Sequence, residues 1–176
     1  MKYAKQAIVI AAFLCLGCVA ASSQSSNIAV EKSLVLERGV TPHKGLDGIY
    51  QRFSEGYKKL DAASVVNLYS DTAAYLAPGS PIQIGQQKVS DIFTGFFDSV
   101  RKRTGRLEIS FRIFQRQVDK NLAYDVGIYT LTSFDEKGVS SKDSGKFVVV
   151  AKRVKGDGWI FQVDGYNSIR PELTNP

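Results

Sequence analysis

After Gly105 the chain stops repeating every three or four residues and begins to alternate, and this change of period limits what it can fold into more than any other feature. Arg106 to Val118, Leu122 to Phe134, Lys146 to Arg153 and Trp159 to Asn167 are rich in Ile, Val, Phe, Tyr and Thr and read as strands. Between them stand Asp119-Lys120-Asn121, Asp135-Glu136-Lys137-Gly138 and Lys155-Gly156-Asp157-Gly158. These connections are too short for a helical crossover, so consecutive strands must run antiparallel.

Upstream the period is helical. Leu46, Ile49, Tyr50, Phe53, Tyr57 and Leu60 form one apolar stripe, with Arg52, Glu55 and Lys58 off it. Asp61 can cap a short second helix from Ala62 to Tyr69, and Val89, Ile92, Phe93, Phe96, Phe97 and Val100 mark a third. Ala73 to Ala77 reads as a strand closed by the turn sequence Pro78-Gly79-Ser80-Pro81. Helices before a meander predict an α+β domain with the helices on one face of the sheet.

The ends read differently. Lys2 and Lys5 precede an apolar run from Ala7 to Leu16, with small residues after it, which is the order of a secretory leader. Val19-Ala20-Ala21 suits cleavage before Ser22, giving a periplasmic or secreted product; Leu16-Gly17-Cys18 resembles a lipoprotein box, giving a membrane-anchored lipoprotein with a lipid on Cys18. The expected organisation is a leader over 1–21, a linker or loosely docked arm over 22–45, one domain over 46–170 and a tail over 171–176. Both cysteines, Cys15 and Cys18, fall in the leader region, so no internal disulfide is expected. Without Lys2 and Lys5 the net charge falls from +6 to +4, a mild excess on an exported domain, and nucleic acid is not an expected partner.

The order of elements, with Leu60-Asp61-Ala62-Ala63, Leu68-Tyr69-Ser70-Asp71, Ala77-Pro78-Gly79 and Ile84-Gly85 in the first half, resembles the nuclear-transport-factor-2-like superfamily. Asn121 to Gly127, Gly145-Lys146 and Gly158-Trp159 to Asp164 resemble the second half of its SnoaL-like and ketosteroid-isomerase-like members. The resemblance implies three N-terminal helices packed on a strongly curved antiparallel sheet that forms a cone, with a pocket for a small apolar molecule. It also implies that sheets of this class pair as homodimers. Carried over from the isomerases, the Tyr position falls on Phe53, the Asp base on Ala77 and the third position near Val149. None of these supplies the donors or the base that this chemistry requires, so ketosteroid-type isomerisation is set aside.

Other chemistries are limited by residue supply. His43 is the only histidine and lies in the expected linker, away from any triad or zinc site. Asp71, Asp91, Asp98 and Asp119 lack the spacing of a cation loop, so neither metal nor cofactor is expected. On the last strand Ile160, Gln162, Asp164 and Tyr166 share one face by the period of two, and Trp159, Phe161 and Val163 the other. The mixed face suits a pocket wall, and the apolar row suits a dimer contact. Asp125, on an apolar strand, needs a partner, for which Lys146 and Arg112 are candidates. A bulge would decide its face.

The candidate ligand-binding residues are thus Phe53, Tyr57, Tyr75, Phe93, Gln162, Asp164 and Tyr166, and the candidate acid-base residues are Asp164 and Asp125. Arg101, Lys102, Arg103 and Arg106 form the densest basic run; it complements the end of the third helix or meets an anionic lipid or polysaccharide. Three functions are open to such a chain: an exported small-molecule-binding domain, a SnoaL-like isomerase, cyclase or hydro-lyase using an Asp, or a structural dimerisation module.

Overall fold

Helix α1, Lys44–Lys59, starts where two side chains close its first turn. His43 Nδ1 accepts from the Leu46 N–H at 3.3 Å, and the Asp47 carboxylate accepts from the His43 N–H at 3.1 Å. The computed structural model describes residues 33–169; the expected leader, its two cleavage points and the C-terminal tail lie outside them. Asp61 caps α2, Ala62–Val66, through a 3.0 Å bond from Ser64 N–H. Helix α3 spans Gln86–Lys102. The stripes of α1 and α3 are buried as their spacing predicts, with Leu46, Ile49, Tyr50 and Phe53 on α1 and Val89, Phe93, Phe97 and Val100 on α3.

The strands are β1 (Leu34–Leu36), β2 (Tyr69–Leu76), β3 (Gln83–Ile84), β4 (Arg106–Val118), β5 (Leu122–Phe134), β6 (Ser140–Arg153) and β7 (Trp159–Ser168). They form one seven-stranded sheet in the order β1-β4-β5-β6-β7-β2-β3. Strands β4 to β7 are the antiparallel meander that the short turns dictate. The pairs β1/β4 and β2/β7 are parallel. Among the described residues the sheet is therefore mixed and open, ending at β1 on one edge and β3 on the other, and the expected strongly curved antiparallel cone is corrected. Hairpin logic fixes direction only for consecutive strands; β1 and β2 pair with strands distant in the chain, and no tight turn constrains them.

Local boundaries shift for similar reasons. Tyr69 opens β2 instead of ending the second helix, because it pairs with Phe161 on β7. Strand β6 begins at Ser140, before its expected start at Lys146, because β5 offers partners along its whole length. Residues 34–36 of the expected linker lie in the sheet, paired with Phe111 to Ile113. Helix α1 packs on β4 and β7, α3 on β2 and β3, and α2 on both helices.

Two single-residue insertions break the alternation within the β4 to β7 meander. On β4, Ile113 faces Gly127 and Gln115 faces Val126, so Phe114 is unpaired and 49% exposed. Beyond this bulge the parity is reversed, and Arg116 turns inward opposite Asp125. Its guanidinium meets Asp125 through Nε at 2.8 Å and Nη2 at 2.9 Å, and Nη1 reaches Asp47 at 2.6 Å. Tyr50 donates to the same Asp125 at 2.8 Å. The Arg116 and Asp125 side chains are only 2% and 3% exposed. Burial works against the guanidinium charge, but the bonds to Asp125 and Asp47 outweigh it and hold Arg116 protonated. Arg116 is thus the partner of Asp125. Arg112 instead pairs with Glu37 at 3.3 Å, and Lys146 is exposed.

Glycine is required where an aromatic ring lies against the sheet. A Cβ on Gly127 would lie 2.5 Å from the Arg112 carbonyl and 2.6 Å from the Phe147 ring.

Arg116→Met should leave the buried Asp125 without its cation, lowering stability to urea by about 3–5 kcal/mol, while Arg116→Met/Asp125→Leu should recover most of the loss. A single variant as stable as the parent would contradict the role of the pair. Gly127→Ala should cost about 1–3 kcal/mol. Gly48→Ala on α1, with nothing within 4 Å of its Cβ, should be neutral or stabilise by up to about 1 kcal/mol. Equal thermal shifts for the two alanine variants would contradict the close approach at Gly127.

Candidate functional site

Between the helices and the inner face of the sheet lies a cavity of about 390 Å³. Helix α1 contributes Phe53 and Tyr57 to its wall, and α3 contributes Ile92, Phe93 and Phe96. The sheet supplies Ile109 and Phe111 from β4, Tyr129 and Leu131 from β5, Phe147 and Val149 from β6, and Tyr75 from β2. From β7 come Phe161, Asp164, Tyr166 and Ser168.

The second bulge makes this wall. Val163 pairs with Val150 and Phe161 with Ala151, so Gln162 is the extra residue of β7. Trp159 and Phe161 face inward before it, and Asp164 and Tyr166 line the cavity after it. Strict alternation puts Asp164 with Ile160 and Gln162; the bulge breaks that set. Gln162 itself bridges to β2. Its amide donates to the Thr72 carbonyl at 2.9 Å and accepts from the Ser70 hydroxyl at 2.8 Å. The bulge is held by the residue that creates it. The row Trp159, Phe161 and Val163 is not a surface for a second copy, because Trp159 and Phe161 are each only 3% exposed.

Asp164 is the cavity's buried carboxylate, 9% exposed. Tyr69 donates to its Oδ2 at 2.5 Å, and Oδ1 accepts from no described residue. Burial raises its pKa from 3.8 to about 6, with the Tyr69 bond pulling the other way. The second acid on the wall, Asp143, lies exposed on β6.

The phenols stay neutral. Burial, reinforced by the Asp164 charge, raises Tyr57, Tyr69 and Tyr75 above the ordinary phenol value. Tyr75 donates to the Tyr166 oxygen at 3.3 Å. Tyr57 stacks on Phe53 with ring centroids 5.0 Å apart, and its hydroxyl bonds to no described residue. A bound molecule would thus meet aromatic and aliphatic walls, one carboxylate able to donate or accept, and neutral phenol donors.

Phe53, Tyr57, Tyr75, Phe93, Asp164 and Tyr166 come together on this cavity, and Gln162 does not. Asp125 lies outside it, with its oxygens taken by Arg116 and Tyr50. Sequence reasoning misses Tyr69, which it gives to the second helix; the signal was a carboxylate on an apolar strand that needed a donor from the neighbouring strand. Phe53 and Val149 line the cavity as apolar wall, so its acid comes from β7 and not from the positions carried over from the isomerases. Among the described residues no three His, Cys, Asp or Glu side chains converge as a metal would require.

No family model and no curated protein matches the chain. Solved structures do. A ketosteroid isomerase-like protein from Erwinia carotovora atroseptica superposes with a TM-score of 0.58 at 15% identity, over 73% of this chain and 96% of that one. A nuclear-transport-factor-2-like protein with a cystatin-like fold from Novosphingobium aromaticivorans gives 0.62 at 11% identity, over 73% and 82%. A conserved protein from Planctomyces limnophilus gives 0.60 at 16% identity, over 72% and 96%. At such identities the likeness is one of fold, and the fold is the nuclear-transport-factor-2-like, ketosteroid-isomerase-like one that the order of elements resembles.

Proposed function

We propose that this chain is an exported binding protein for a small, largely apolar molecule carrying one neutral polar group. The observation that carries this reading is a cavity of about 390 Å³ whose apolar wall holds a single buried carboxylate beside neutral phenols. Volume and lining both suit a small ligand. Asp164 and Tyr57 would hold the polar group, since each has a free bonding position, while Phe53, Phe93 and Phe161 would bury the apolar body. Protonated Asp164 donates to a carbonyl; ionised, it accepts from a hydroxyl. The leader read in Lys2 to Ala21 supports export, with either a free or a lipid-anchored product.

A second reading is an isomerase, cyclase or hydro-lyase. A carboxyl with a pKa of about 6 in an apolar cavity suits proton transfer near neutral pH. Turnover that is lost in Asp164→Asn while the ligand still binds would favour it. Pairing with a second copy is also proposed, through the outer face of the sheet, where Val148 is 48% exposed opposite Val126 on β5. A monomer at high concentration by analytical ultracentrifugation would contradict that pairing.

Extraction of the purified protein and mass spectrometry of the extract should reveal a small apolar compound in near-stoichiometric amount. With 2-naphthol as a neutral hydroxyl probe, affinity should rise as pH climbs through about 6, and this step should vanish in Asp164→Asn. A pH-independent affinity in the parent would contradict the role of Asp164. Stability should move the opposite way. A carboxyl raised from 3.8 to about 6 on folding contributes fully below the lower value, and that contribution is lost as pH rises through the upper one. The parent should therefore lose about 3 kcal/mol relative to Asp164→Asn across this window. A constant difference between the two proteins would show that Asp164 is solvated.

A further inference from the structure

The cavity is long, and a different acid stands at each end of it. On β6, Val149 pairs with Asp164 and is buried, whereas Asp143 pairs with Leu131 nearer the start of the strand and is exposed. The step from Asp143 to Val149 is a reach of about 20 Å along the strand at roughly 3.3 Å per residue. Asp143, Phe147 and Val149 share the inner face by alternation, and all three line the same cavity.

The open end suits a positive group. The Asp143 carboxylate accepts no hydrogen bond and meets no cation among the described residues. A Cβ on Gly145 would lie 2.4 Å from the Tyr129 ring, so that ring covers the position between Asp143 and Phe147. Tyr166 meets Tyr129 edge-on, with centroids 5.7 Å apart. Burial raises both phenols and the Asp143 charge adds to the shift, in keeping with a carboxylate beside two neutral aromatic rings. No Lys, Arg or His among the described residues lines the cavity. Lys142 and Lys146 take alternate positions of β6, which face the other side of the sheet. At the inner end Asp164 keeps Oδ1 open, and Tyr57, 8% exposed, has its hydroxyl unbonded to any described residue.

We infer that the ligand is a long amphiphilic cation, with its neutral polar group at Asp164 and Tyr57 and an ammonium group at the open end beside Asp143. This rests on the cavity-binding reading, keeps the neutral group where that reading puts it, and adds a charge, a length and a direction. Hydration sets the direction. An ammonium group carried in to Asp164 would give up its water for one buried carboxylate, and that contact does not repay the desolvation; beside the exposed Asp143 it stays hydrated. The rings of Tyr129 and Tyr166 add their attraction for a cation. The same two acids repel an anionic ligand from both ends.

The test compares 10-aminodecan-1-ol, decan-1-ol and 10-hydroxydecanoate by calorimetry at pH 8, below micelle formation, where the amine is protonated and Asp164 is ionised. The amino alcohol should bind about three- to tenfold tighter than decan-1-ol, the span of an exposed ion pair beside aromatic rings. The hydroxy acid should bind more weakly than either, and the preference for the amine should shrink at high salt. Asp143→Asn should bring the amino alcohol to the affinity of decan-1-ol. Asp143→Lys should make the hydroxy acid the tighter of the two charged probes, and circular dichroism should show both variants folded. Amino alcohol and decan-1-ol binding the parent equally would overturn the inference and leave the cavity reading standing. A preference kept in Asp143→Asn and lost in Asp164→Asn would overturn it too, because the ammonium group would then sit at the inner end. If neither the amino alcohol nor decan-1-ol binds the parent, both readings fall.

Discussion

Two unpaired residues, Phe114 on β4 and Gln162 on β7, decide which side chains face the helices. A strand has no freedom to turn a single side chain over; only an inserted residue reverses the facing of the residues after it. The first insertion brings Arg116 inward against Asp125, and the second brings Asp164 inward after Phe161 has already faced that way. Each places a charged or polar group on a face that would otherwise be apolar. The ion pair and the cavity both depend on these two shifts in register.

The two buried carboxylates then meet different fates. Asp125 receives a bidentate guanidinium and a phenol, so its charge is compensated and its bonding capacity is used. Asp164 receives only the Tyr69 phenol, and desolvation prevails, moving its titration toward neutral pH. One acid stiffens the junction of α1 with the sheet, since Asp47 of α1 shares the same Arg116. The other is left with an oxygen open to a ligand. Environment, not residue type, separates structure from function here.

The parts of this arrangement legible in the sequence are those governed by one period. The apolar stripes of α1 and α3 carry Phe53, Tyr57 and Phe93 to the cavity, and the short turns set the β4 to β7 meander. Asp164 and Tyr166 are legible as polar residues on an apolar strand, but alternation groups Gln162 with them because it has no means of announcing an insertion. The role of Gln162 as the bulge that bonds to Ser70 and Thr72 depends on β2 lying alongside β7, a parallel pairing between segments far apart in the chain. The open, mixed sheet is hidden for the same reason: β1 and β2 take their direction from packing, with no turn to record it. Trp159 and Phe161 read as a surface row by alternation, yet both are buried, and Trp159 meets the His43 ring edge-on at 5.6 Å.

The shift at Gln162 delivers a carboxylate into a mostly apolar cavity wall, and the most direct measurement of this is the carbon-13 NMR titration of the Asp164 carboxyl in the parent and in Tyr69→Phe. The expected midpoint is about 6 in the parent, and higher in the variant, where the phenol no longer favours the charged form. A parent midpoint at the ordinary 3.8, unmoved by the variant, would mean that the carboxyl stands in bulk water and that the cavity does not hold it.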